Sequence, residues 1–174
     1  MPLNEKQKRE IEKIFLGFNI DNTGALSFTE FYGFLEYAWA NESPIQTTWF
    51  FNLNRPIAKF IFNGISNQSS TSVLFSETIV LIEAVLDKNE DYLIRFIYNA
   101  MDPERSNNIS IDELPKAALL FGFDNCEKKI NLKISKLFGD TKKNLTYQEF
   151  YQLLTNTPKE EAHLTSPRSS PEEN

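Results

Sequence analysis

The sequence predicts an all-α protein, on three observations. Apolar residues recur at i, i+3, i+4 and i+7 along most of the chain. A pattern of apolar, variable, apolar, polar and Glu occurs four times: Leu26-Ser27-Phe28-Thr29-Glu30, Val73-Leu74-Phe75-Ser76-Glu77, Ile109-Ser110-Ile111-Asp112-Glu113 and Leu145-Thr146-Tyr147-Gln148-Glu149. By subtraction of residue numbers, the closing glutamates lie 47, 36 and 36 residues apart. A period near 36 makes each copy one supersecondary unit, here helix, loop and helix.

The elements follow in order. Residues 4–18 carry the stripe Ile11, Ile14, Phe15 and Phe18 among charges, with Asn4 placed to cap the helix. After a polar loop, a second helix runs from Phe28 with Phe31, Phe34 and Leu35 on one face. The same outline returns at 56–87 (Ile57, Phe60, Ile61), 91–122 (Leu93, Phe96, Ile97) and 127–155 (Ile130, Ile134, Leu137). The longer first interval places about eleven extra residues near 41–52, where Ser43-Pro44 reads as a helix start. That insert holds Trp49, Phe50 and Phe51, and Trp39 just precedes it. The polar joint Leu86–Asp91 lacks Gly and Pro, so it reads as either a bent helix or a short hinge. Residues 4–87 and 91–155 are expected to form two paired units, and 157–174, polar and Pro-rich, a disordered tail.

Composition narrows the function. With 174 residues, 41% hydrophobic and 24% charged, the chain suits one large domain or two small lobes. A net charge of −6 argues against nucleic-acid binding and suits cations or basic peptides. The single cysteine, Cys126, excludes an internal disulfide and favours a reducing compartment. No signal-like segment, transmembrane-length run or lipidation motif is recognised, so a cytoplasmic protein without a membrane anchor is expected. The only histidine, His163, lies in the expected tail, and no phosphate-cradling loop or nucleophile elbow occurs; an enzyme is not expected.

The residues before each Glu are a possible source of oxygen ligands. A hard cation such as Ca2+ needs six to eight oxygens, which one short loop can supply from positions 1, 3, 5, 7, 9 and 12, with a sharp turn at 6. Setting Glu30 at position 12 gives Asn19, Asp21, Thr23, the Ala25 carbonyl and Ser27 as its partners, with Gly24 at the turn. Setting Glu113 there gives Asp102, Glu104, Ser106, the Asn108 carbonyl and Ser110, with Asn107 replacing the glycine. On these residues the units resemble EF-hands. Four of them with short joints resemble the calmodulin and neuronal-calcium-sensor superfamily over roughly residues 4–155.

The resemblance implies two lobes of paired hands, with short β pairing through position 8 (Leu26, Val73, Ile109, Leu145). It also implies one or two Ca2+ ions and an apolar groove that opens for an amphipathic target helix. The first loop departs from the pattern at Asn19, which removes one negative charge; the third departs at Glu104, longer than the usual Asp. The second loop has no Asp, and the fourth offers Phe138 at position 1 and Lys142 at position 5, so both are expected to be silent.

A calcium sensor working through loops one and three is the expected function. Its alternative is a constitutive, light-chain-like or regulatory subunit with little calcium dependence, and a simple buffer ranks below both. Two methionines make a Met-rich groove unlike this chain's. Trp39, Trp49, Phe50 and Phe51 are candidates either for the target surface or for core packing of the insert.

Overall fold

A computed structural model describes residues 3–40, 53–66 and 71–156, the side chain of Trp39 excepted. Among them eight helices and four short strands alternate in four units. The first unit is α1 (Glu5–Phe18), β1 (Ala25–Ser27) and α2 (Phe28–Ala40); the second is α3 (Arg55–Ile65), β2 (Ser72–Leu74) and α4 (Phe75–Leu86). The third is α5 (Glu90–Met101), β3 (Ile109–Ser110) and α6 (Glu113–Leu120); the fourth is α7 (Glu127–Phe138), β4 (Asn144–Leu145) and α8 (Tyr147–Thr155). The protein is thus mainly helical, with two small antiparallel strand pairs. The insert near 41–52 and the tail at 157–174 lie outside the described residues.

Local chemistry sets the helix ends. The Asn4 side chain accepts from the Gln7 N–H while the Gln7 side chain accepts from the Asn4 N–H, closing a reciprocal cap on α1. At the polar joint the chain stops and restarts. Lys88 takes φ 52, and the N–H groups of Lys88 and Asn89 bond to the carbonyls of Val85 and Ala84, ending α4 in a Schellman turn. The Asn89 side chain then caps α5 by accepting from the Tyr92 N–H. The joint is therefore a short break between two helices and not one bent helix.

The strands join the loops in pairs, Leu26 facing Val73 and Ile109 facing Leu145. None of these four side chains is more than 1% exposed. An apolar residue at this point in each loop ties two units together, because its side chain enters the core while its backbone completes the ladder.

Two hydrophobic cores result. In the first, Phe15, Phe31 and Phe34 are fully buried, and Phe15 meets the rings of Phe34 and Phe75 edge-on at 5.4 and 5.5 Å. Each such ring contributes roughly 1.5–3 kcal/mol through burial. In the second, Tyr98 packs on Tyr147 and Phe150, its hydroxyl donating to the Leu145 carbonyl. Burial, and then the charge of Asp102, push the Tyr98 pKa up to about 12.

Helix α5 serves both cores: Ile94 and Tyr98 face the second, Phe96 and Ala100 the first. Phe96 lies on α3 where Gly64 has no side chain; a Cβ there would stand 2.4 Å from the ring. The two pairs of units are consequently docked through α3 and α5. No described helix is long and apolar enough to cross a membrane.

Candidate functional site

The first loop is organised from its exit end. Ser27 and Glu30 form a capping box at the start of α2: Glu30 Oε2 accepts from the Ser27 N–H at 2.8 Å and from its hydroxyl at 2.7 Å. The other oxygen, Oε1, accepts from the Ile20 N–H at 3.0 Å. One carboxylate thus ties the beginning of the loop to its end. These bonds, the Ser27 hydroxyl's first, hold the Glu30 pKa below its ordinary value, although burial and the charge of Asp21 oppose them.

Asp21 is likewise held low, first by the Thr23 hydroxyl and then by the Thr23 N–H. The Thr23 hydroxyl lies 2.8 Å from Asp21 Oδ1 and 3.1 Å from the Ala25 carbonyl oxygen, and its one proton serves one of them at a time. The turn uses Asn22 at φ 54 and Gly24 at φ 81.

At the entry end, Asn19 closes α1 by donating its backbone N–H to the Leu16 carbonyl. The residue is 6% exposed, and among the described residues neither its Oδ1 nor its Nδ2 has a hydrogen-bond partner. Such an orphaned amide costs about 1–3 kcal/mol.

The third loop is organised from its entry end instead. Asp102, 5% exposed, accepts through Oδ1 from the Ser106 N–H and hydroxyl, both at 2.9 Å, and through Oδ2 from the Asn107 N–H at 2.8 Å. Asn107 adopts φ 59, the left-handed turn expected of it, and Arg105 adopts φ 55. The Ser106 hydroxyl is also 3.0 Å from the Asn108 carbonyl.

At the exit, α6 begins only at Glu113, whereas α2, α4 and α8 begin two residues before their glutamates. The cause is Pro115. A helix starting at Ile111 would need the N–H that Pro115 lacks to bond the Ile111 carbonyl, and the proline ring would clash there. Glu113 consequently forms no cap with Ser110; its Oε1 pairs with Lys116 at 2.6 Å on the surface. Glu104 is exposed, and Ser110 accepts a long bond from the Asp112 N–H. Among the described residues Glu113 therefore shares no hydrogen bond with the Asp102–Ser106 cluster with which the sequence grouped it.

The other two loops differ again. In the second, Glu77 caps α4 at the Leu74 N–H, and residues 67–70 lie outside the described part. In the fourth, the Lys142 ammonium pairs with Glu149, whose Oε2 also accepts from the Thr146 N–H. Burial opposes ionisation of Glu149, but Lys142 and Thr146 outweigh it and hold the pKa low. The lysine at position 5 thus brings a cation of the chain's own to the loop glutamate.

One residue the sequence reading passed over connects the two halves. The Arg105 guanidinium donates to the carbonyls of Asn99 and Asp102 at the end of α5, and to those of Asn63 and Ser66 at the end of α3. One planar fork thus joins carbonyls at two helix ends, that of Asp102 also accepting the Arg105 backbone N–H. Burial lowers the Arg105 pKa, while the charge of Asp102 opposes the shift.

An apolar groove of about 420 Å³ opens beside the second core, walled by Ile97 of α5, Leu114 of α6, Ile130 of α7 and Leu153 of α8. On its rim Phe121, Phe123 and Leu154 are 40%, 66% and 47% exposed. Trp49, Phe50, Phe51 and the side chain of Trp39 lie outside the described residues. Among the described residues no group of three or more His, Cys, Asp or Glu side chains gathers as a metal cluster. The first loop accordingly offers two carboxylates, Asp21 and Glu30, among neutral oxygens. No protein-family model matches the chain, and no curated protein matches it.

Proposed function

We propose that this protein is a calcium sensor of the EF-hand class, in which the first loop holds the ion and the second lobe presents the groove for a target helix. The observation that carries the reading is Asn19. A buried amide oxygen without a partner, at the first position of a loop that also holds two ionised carboxylates, fits a cation better than it fits an empty loop. Asn19 Oδ1, Asp21, Thr23, the Ala25 carbonyl, Ser27 and Glu30 would hold it. Bound Ca2+ supplies a compact double charge able to satisfy hard oxygen donors. Glu30 stands in the first turn of α2 and bonds to both Ile20 and Ser27, so a change at its carboxylate is felt directly at the start of that helix.

A second reading is favoured for the second lobe. Both of its loop glutamates are paired with lysines of the chain, Glu113 with Lys116 and Glu149 with Lys142. Loop four, with its own ammonium, suits a structural role, and the lobe as a whole suits constitutive docking. Calorimetric titration with calcium decides between sensor and constitutive subunit. One binding event that disappears in Glu30→Gln, with a calcium-dependent rise in fluorescence of an apolar dye, is expected. No heat at millimolar calcium would sink the sensor and leave the constitutive subunit.

A further inference from the structure

The charges at the groove identify the chemistry of its occupant. This step rests on reading that face as a helix-docking surface. Although the chain carries a net charge of −6, the charged residues lining the groove among the described residues are Lys129 and Lys133 alone. They stand one turn apart on α7, so both project along the same side of that helix. Neither is engaged in an ion pair among the described residues. Phe121, Phe123 and Leu154 supply the exposed apolar part of the same rim. Phe60 of α3 lines the groove too, its ring edge-on to Phe121 at 5.4 Å, so an occupant meets both lobes.

We infer that the groove takes an amphipathic helix of another protein whose apolar stripe is flanked by acidic residues at i and i+4. Large apolar side chains on that stripe would fill the cavity, and the flanking carboxylates would meet Lys129 and Lys133. A basic helix, the partner suggested by the net charge alone, would bring like charges together at this rim. Local charge prevails over net charge because the field of remote groups is screened within about 10 Å at ordinary ionic strength. Complementary charges at such a rim decide mainly which partner docks and in which direction.

The test uses the full chain and two synthetic helical peptides with one apolar face, flanked by Glu in one and by Lys in the other. Binding is read by fluorescence anisotropy at low and high salt, in calcium and in chelator. The Glu peptide should bind at least ~10-fold tighter, with a gap that narrows in salt. The preference should reverse in Lys129→Glu/Lys133→Glu, and Phe123→Ser should weaken both peptides; circular dichroism checks that each variant is folded. Equal or tighter binding of the Lys peptide overturns the acidic assignment while leaving a helix groove. Binding of neither peptide overturns the groove reading itself. A sedimenting dimer abolished by Phe123→Ser would assign the face to a second copy and overturn the inference.

Discussion

The first and third loops share a residue pattern and are organised at opposite ends. In the first, Glu30 bonds to Ile20 and Ser27 and fixes the exit, while the buried Asn19 side chain at the entry has no partner among the described residues. In the third, Asp102 wraps Ser106 and Asn107 and fixes the entry, while Glu113 at the exit pairs outward with Lys116. Each has half of a closed loop. The difference lies in two substitutions: an amide in place of a carboxylate at Asn19, and a proline two residues after Glu113. An amide cannot gather backbone N–H groups as a carboxylate does, and a proline delays the helix that would aim its glutamate inward. Similar sequences therefore predict similar sites only where the flanking backbone can adopt the same path.

The comparison can be broken most directly by removing one charge from each loop. Glu30→Gln should weaken calcium binding at least ~10-fold, since a charge-assisted anchor is lost, whereas Glu113→Gln should change it less than ~3-fold. Calorimetry on both variants checks this, and equal effects would show that the third loop also closes on an ion.

Arg105→Ala should come next. Leaving helix-end carbonyls of α3 and α5 without their donor should cost about 1–3 kcal/mol in urea unfolding, with Arg105→Lys recovering only part. A neutral result would mean that water replaces the guanidinium at both helix ends.

Asn19→Leu tests the orphaned amide. It should raise stability in chelator by about 1 kcal/mol and abolish binding in the first loop. A loss of stability would reveal a partner for the amide in the native protein.

Smaller effects sharpen the contrast. Lys116→Ala should leave the calorimetric stoichiometry at one ion and change stability only slightly, because an exposed pair is weak and freeing its glutamate does not bring it to Asp102. Glu30 and Glu149 titrate below their ordinary value of 4.5. The stability they contribute is present above that pH and is lost as pH falls through their lowered values. Acid melting curves of Glu30→Gln should accordingly be flatter below pH 4.5 than those of the wild type. A superimposable curve would show that the Ser27 and Ile20 bonds do not depend on charge.

Much of the architecture was legible in the chain. The stripes located the helices, the repeat located the loops, and the apolar residue of each pattern became a strand residue in its pair. Lys142 foretold the inward ammonium of loop four. Pro115 is equally visible and encodes the late start of α6, since Tyr32, Ile79 and Tyr151 stand two residues after the other three glutamates.

By itself, then, the sequence determined what is local and periodic: helices, their caps, the four loops and the oxygens each contains. These depend on residues within a few positions of one another. Only the tertiary structure decided what depends on distant parts of the chain. Gly64 admits Phe96, Arg105 reaches back to Asn63 and Ser66, and α5 divides its faces between two cores. The burial of Asn19 and the gathering of Lys129 and Lys133 at an apolar rim are of the same kind. Burial and convergence are properties of packing between elements, and no spacing along the chain encodes them alone.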